Sequence, residues 1–352
     1  MVLEITANLN GGDLVTPDNE LTYKIYGSAD NYASPIANLG SAVNDAKVSV
    51  LNGVVTIINV DVGNETSFKI SSIDAAGNEA VLSDTSDTPF IIEIDSTESG
   101  VSNTDQFQFT GAEGDYDVVA KQNGVVIETF NNLSDESTIT FATSGIYDLE
   151  VMPKDSNGFN IIRFGGGGDK DKMLDIKQWG TIKWDSLIQA YFRCRNMKIT
   201  ATDVPDFSIC TNFALAFYDC GVANPDTTNW DMSTATNTKF MFRECLVFNG
   251  DVSNWDMSNV TAMNDMFSSC TLFNSDCSDW DVSQVTDMES MYKNSGLSPA
   301  NLTLIYENWS QLNLQQNVEF SAGTTKYNAS GQAGRDILVN TYNWIIEDGG
   351  QV

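Results

Sequence analysis

Aspartate is the residue type in this chain whose spacing could do chemistry. One set, Asp226, Asp251 and Asp276, recurs every 25 residues, and a second, Asp206, Asp231, Asp256 and Asp281, keeps the same step. Carboxylates gathered by a fold can run acid–base chemistry, or hold a divalent cation such as Ca²⁺ through their oxygens. Acid–base work needs two carboxylates in unlike environments, one protonated and one charged. Positions that repeat identically offer the opposite. The chain also contains no histidine, which removes Ser-His-Asp and Cys-His nucleophiles. An enzyme is not expected, and a glycan hydrolase working with carboxylates alone stands as a distant third class. Asp226, Asp251 and Asp276 form the candidate metal column. The plainer role for the aspartates is to accept hydrogen bonds from backbone N–H groups at the start of a following helical turn.

The elements that position these carboxylates are repeats. Anchors at Trp179, Pro205, Trp230, Trp255 and Trp280 are separated by 26 residues once and then by 25 three times. Serine (Ser208, Ser233, Ser258, Ser283) and threonine (Thr211, Thr236, Thr261, Thr286) keep the register, as do Asn224, Asn249 and Asn274 and the cysteines Cys194, Cys220, Cys245 and Cys270. Units of this length cannot bury an apolar face alone and must stack, which predicts a solenoid. Within one unit, Ser258 reads as an N-cap and Val260, Met263 and Phe267 fall at helical spacing, so a short helix is predicted there. The polar stretch leading to the next tryptophan would supply the strand-like side. The asparagine side chains are expected to bond the backbone of adjacent turns. Trp230, Trp255 and Trp280 are expected as core layers in preference to a sugar-stacking platform. The cysteine column is expected to hold reduced, buried thiols, because stacked side chains point the same way and do not aim at each other. Cys210 and Cys277 fall at other repeat positions. Zinc is not expected, with no histidine and no C-x-x-C pair.

Met266-Phe267-x-x-Cys270, Phe273-Asn274 and Asn254-Trp255-Asp256-Met257-Ser258-Asn259-Val260-Thr261 resemble the BspA-like leucine-rich repeats of bacterial surface proteins and some phage proteins. The likeness runs from Asp175 to Tyr292. Segments 301–309, 317–320, 335–338 and 344–350 resemble the cap that follows such repeats. The first copy lacks the Asp, Ser and Thr ladders, and Pro205 replaces the second tryptophan, so the leading edge reads as an adapted cap.

All tryptophans and all cysteines lie at or after Trp179, and the run Gly165–Gly168 precedes Asp169-Lys170-Asp171-Lys172. A flexible joint is predicted there. Ahead of it, alternation at Leu21, Tyr23 and Ile25 and at Phe68, Ile70 and Ile73 predicts short strands. Residues 66–79, with the turn Asp74–Asn78, resemble the later strands of a fibronectin type III domain. Gly145–Val151 is similar to the closing strand of polycystic-kidney-disease (PKD) type sandwiches. The expected class is mainly β and multidomain. It comprises a fibronectin type III-like sandwich at 1–94, a PKD/Ig-like sandwich at 95–164, a Gly-rich linker at 165–172, BspA-like repeats forming an α/β solenoid at 173–297, and a C-terminal cap at 298–352.

The formal net charge is −30 on 352 residues, and beyond residue 200 the cations are Lys239, Arg243, Lys293, Lys326 and Arg335. That balance argues against a nucleic-acid partner, which needs a basic track. No segment is apolar over the roughly 18–20 residues of a membrane span, so membrane insertion is not expected. The start Met-Val-Leu-Glu-Ile-Thr lacks the basic and apolar regions of a secretory signal. Together with the resemblance, this gives the functional expectation of a phage virion appendage. Its N-terminal modules would hold other virion proteins, and its repeats would meet a host surface protein or glycan. The alternative is a secreted or cell-surface bacterial adhesin with a sandwich stalk. A homo-oligomer is a further expected association.

Overall fold

The computed structural model describes residues 2–8, 22–27, 35–39, 48–51, 54–61, 68–73, 79–84, 88–134, 136–154, 159–165 and 167–352. The chain divides into two compact units, Met1–Thr88 and Pro89–Val352. It is mainly β, with several sheets.

The first unit holds two antiparallel sheets. One orders the strands Pro35–Leu39, Thr22–Gly27, Phe68–Ile73 and Glu79–Asp84, and the other orders Val2–Asn8, Val54–Asp61 and Val48–Leu51. Tyr23 and Ile25 and the alternating stretch at 68–73 thus fall in strands, while Leu21 lies outside the described residues. The predicted turn Asp74–Asn78 lies outside the described residues.

The second unit opens on a six-stranded sheet ordered Val125–Leu133, Tyr116–Gln122, Ile146–Pro153, Phe90–Asp95, Met173–Gln178 and Lys198–Ile199. Period-two alternation buries Phe90, Ile92 and Ile94 on one strand and Tyr147, Leu149 and Val151 on its neighbour. Strand Phe90–Asp95 lies between Ile146–Pro153 and Met173–Gln178, so it belongs to this unit and does not close the first one. A smaller sheet pairs Phe159–Arg163 with Thr110–Glu113 and, in parallel, with Trp184–Ser186. Both sheets therefore run across residues 165–172 into the repeats.

At the flexible joint expected at 165–172, Gly165, Gly168, Asp169 and Lys172 are buried. A Cβ on Gly165 would stand 2.3 Å from the Phe192 carbonyl oxygen, and one on Gly168 2.0 Å from Thr110 Oγ1, so these glycines permit close approach. Asp169 and Lys172 are fully buried. The Asp169 carboxylate accepts from the N–H groups of Val101, Ser102 and Gln108, the first and last at 2.8 Å, and from the Ser102 hydroxyl. Lys172 Nζ donates to Ser102 Oγ and Asn103 O at 2.8 Å and to Gln106 O at 2.9 Å. The charges that read as a solvated linker are an internal ion pair clamping loop 100–106.

From Trp184 on, successive 25-residue stretches lie side by side. Parallel bridges join Ser186, Asn212, Asn237, Ala262 and Asp287 in turn, and the series passes through Met288 to Phe320. The short helix expected after Ser258 does not form; Ala262 is a bridge residue and residues 264–269 are serial turns. Alternate N–H groups there leave their own segment: Met263, Asp265, Phe267 and Ser269 donate to the carbonyls of Asp287, Glu289, Met291 and Lys293 at 2.8–3.0 Å. The intervening groups close turns, as Met266 N does to Met263 O at 3.3 Å. Asp265 and Ser269 adopt φ of +55° and +63°, which a right-handed helix cannot include. Backbone bonds that a helix would keep to itself thus go to the neighbouring stretch.

After the repeats, α1 (Pro299–Trp309) starts with Ser298 as N-cap, its hydroxyl accepting from Asn301 N, and with proline in the first turn. Helix α2 (Gln332–Tyr342) stops at Asn343, whose φ of +56° is a left-handed cap. Strands Glu319–Ser321 and Ile345–Glu347 pair in parallel and extend the same ladder.

Candidate functional site

Each repeated residue type occupies a column with one physical role. Trp230, Trp255 and Trp280 are buried and stacked, with ring centroids 6.1 and 6.3 Å apart and planes within 9° and 3°. The indole N–H groups of Trp255 and Trp280 donate to Thr227 O and Val252 O at 2.9 Å. No ring face is left for a sugar. A second column, Phe164, Tyr191, Phe217, Phe242, Phe267 and Tyr292, steps by 5.3–6.1 Å and joins the sheets of residues 90–163 to the repeats as one core.

The asparagines form a ladder. Asn224 Oδ1 accepts from Asn249 N, and Asn249 Oδ1 from Asn274 N, both at 2.9 Å; Asn274 Oδ1 accepts from Ser298 N at 2.8 Å. Each side chain thus satisfies a backbone donor one stretch further on. An Asn249→Ala variant is expected to lose about 1 kcal/mol, because the exposed Asn274 N–H regains water. Asn249→Asp, which keeps the acceptor, is expected to retain most of it; urea midpoints measure both.

Cys194, Cys220, Cys245 and Cys270 are reduced and buried. Their thiols donate backwards, Cys220 Sγ to Tyr191 O at 2.9 Å, and Cys245 and Cys270 to Phe217 O and Phe242 O at 2.8 Å. Burial pushes the Cys270 thiol up to about 12, away from thiolate chemistry. Cys210 shares a repeat position with Ala235, Val260 and Val285, and Cys277 shares one with Thr227 and Val252. Both act as small apolar fillers, a role visible only once the register is laid out.

The aspartates are held by their own turns. Asp226, Asp251 and Asp276 accept through Oδ1 from the N–H two residues on, at 3.1, 3.0 and 2.9 Å. Asp206, Asp231, Asp256 and Asp281 do the same with Ser208, Ser233, Ser258 and Ser283 at 2.9–3.0 Å. These are Asx-type turns, not the first turn of a helix. Among the described residues no group of three His, Cys, Asp or Glu converges as a metal would need. Asp226, Asp251 and Asp276 bring one carboxylate per stretch, already engaged with backbone, and do not fit a shared Ca²⁺ site. EDTA is expected to leave the thermal midpoint unchanged; a rise of several degrees on adding Ca²⁺ would reinstate the ion.

The backbone N–H and hydroxyl of Thr228 and Ser253 hold Asp226 and Asp251 below the usual carboxylate range, and the Ser258 hydroxyl and N–H do so for Asp256. A depressed folded-state pKa gives stability that is present above the unfolded value and lost as pH falls through the folded one. Asp265 runs the other way, raised by burial against the pull of Arg243. With three such turns against one opposing group, the thermal midpoint is expected to fall as pH drops below about 4, which a pH series of melts checks.

Sequence reasoning missed Trp309, whose indole donates to Cys277 O at 3.2 Å, continuing the tryptophan pattern from inside α1. It also missed the Asp169–Lys172 pair, whose partners lie 61–70 residues upstream. Among the described residues, no helix is long and apolar enough to cross a membrane.

The geometry defines a β-rich repeat protein held by stacked side-chain ladders. Over residues 211–332 the chain is similar to a family described as Mycoplasma protein of unknown function, DUF285. No curated protein and no solved structure matches it.

Proposed function

We propose that the chain is a non-enzymatic attachment protein, a phage virion appendage whose repeats meet the host surface. In this reading residues 173–297 are a BspA-like leucine-rich-repeat solenoid closed by the cap at 298–352, and the sheets ahead of them are Ig-like sandwiches that hold it to the particle. The observation that carries it is the register: aromatic, asparagine, threonine and aspartate columns run through the same stretches without a slip. Such a stack is rigid and presents rows of equivalent side chains, which suits recognition by many weak contacts. The aspartates support the non-enzymatic part of the reading, since each is tied to its own turn in the same way as its equivalents.

The test is particle association. Antibody to residues 173–352 is expected to decorate purified virions in negative stain and to block their adsorption to cells. Undecorated particles with unimpaired adsorption would reject the virion reading. A second reading, a bacterial surface adhesin with the same layout, draws support from the similarity to a family described from Mycoplasma. It predicts that the antibody labels bacterial cells that carry the gene and no phage.

A further inference from the structure

One face of the stack differs from the rest in what it holds outermost. Three consecutive stretches place Phe192 and Arg193, then Tyr218, then Phe240 and Arg243 on the serial-turn side, with Arg195 beside them. The Phe192 and Tyr218 rings lie 5.0 Å apart. The Arg193 guanidinium sits 5.1 Å from the Phe192 centroid, and that of Arg243 5.7 Å from both Tyr218 and Phe240. The order along the row is thus guanidinium, ring, ring, guanidinium, ring, each side chain held by the next.

Asp219 and Asp265 lie beneath these arginines, while Arg243 also meets Glu244 Oε1 at 3.5 Å, a part-exposed carboxylate that accepts from the Tyr218 hydroxyl at 3.1 Å. Arg195 donates through Nε and Nη2 to Asp219 Oδ2 at 2.8 and 2.5 Å, and Arg243 Nη1 to Asp265 Oδ1 at 2.8 Å. The Arg195 and Arg193 side chains are 58% and 46% exposed against 15% for Asp219, and Arg243 is 33% exposed against 17% for Asp265. In a chain of net charge −30, the end of this face at Arg193 and Arg195 therefore puts two pre-positioned guanidinium groups outermost, above the one carboxylate they share.

We infer that this arginine–aromatic row is the face of the stack that docks a partner, and that the partner is a protein offering carboxylates to the guanidinium groups of Arg193 and Arg195, which the rings hold in place. The inference rests on the attachment reading and names its contact surface. Tyrosine, phenylalanine and arginine held rigid by one another are the composition of interface hot spots. A glycan fits less well, because a sugar stacks on bare ring faces and these are covered by neighbouring rings and guanidinium groups. At about 0.15 M salt charges are screened beyond roughly 8 Å, so the net negative charge does not hold an acidic surface away at contact range.

The experiment uses the full-length chain, fluorescently labelled, with the panel of bacterial cells used for adsorption. Arg193→Ser combined with Arg195→Ser is expected to reduce adhesion at least tenfold while the melting curve keeps a single folded transition. Leu272→Ser, exposed at another corner of the repeats, is expected to adhere like the parent. Protease-treated cells are expected to lose adhesion and periodate-treated cells to keep it. Undiminished adhesion of the arginine variant overturns this inference alone. Loss after periodate with retention after protease replaces the protein partner by a glycan and overturns it too. No adhesion by the parent to any cell in the panel overturns the attachment reading and this inference together.

Discussion

Replacing Asp169 with alanine is expected to destabilise the second unit by about 3–5 kcal/mol, because it strands a buried ammonium. Lys172 Nζ lies 3.7 Å from Asp169 Oδ2 with both side chains fully enclosed, and burial already draws the Lys172 pKa below its ordinary value. The carboxylate also satisfies the backbone N–H groups of Val101, Ser102 and Gln108, which lose their acceptor in the variant. Adding Lys172→Met in the same chain is expected to recover part of the loss, since removing both charges of a buried pair costs less than removing one. Urea midpoints of the parent, the two single variants and the double variant measure the coupling. A single-variant loss below about 1 kcal/mol, the size typical of an exposed pair, would show that the pair is hydrated.

Trp255→Ala is expected to cost a similar amount, about 3–5 kcal/mol, through a cavity between two stacked rings. Trp255 contacts the rings of Trp230, Trp280 and Phe242 and supplies the indole donor to Thr227 O. Trp255→Phe keeps an aromatic layer and loses the donor, so its cost is expected to be about 1–3 kcal/mol. Equal losses for the two variants would mean that the hydrogen bond, and not the layer, sets the stability of that stretch. Denaturant unfolding followed by circular dichroism distinguishes these outcomes.

The columns were legible from sequence because a stack converts a constant offset into a contact. Asn224, Asn249 and Asn274 needed no knowledge of the fold to be placed one above another; their spacing did it. The conformation within a stretch was not legible, for a definite reason. Val260, Met263 and Phe267 fall at helical spacing, yet serial turns with a left-handed residue every fourth position bury the same side chains. Periodicity reports which residues face inward and is blind to where the N–H groups go. The glycine run misled for a related reason. Glycine serves both flexibility and close approach, and what decided between them was Phe192 and Thr110 pressing on Gly165 and Gly168. Asp169 and Lys172 looked like linker charges because their partners lie in a loop that no local pattern connects to them. The arginine–aromatic row was likewise invisible in a list of cations, since Arg193 and Arg243 meet the same Tyr218 ring only once the stretches are laid side by side.

The asparagine ladder has a consequence for how such a chain can vary. Each link joins an asparagine side chain to a backbone N–H one stretch later, so nothing in the bonding specifies how many links there are. Removing residues 255–279 as a block would bring Trp280 onto Trp230 and Ser298 into Asn274's former place as the donor to Asn249, with every column still finding a neighbour. Reach is therefore set by copy number alone, and a gene encoding this architecture can lengthen or shorten its product in steps of one whole stretch without redesigning either end.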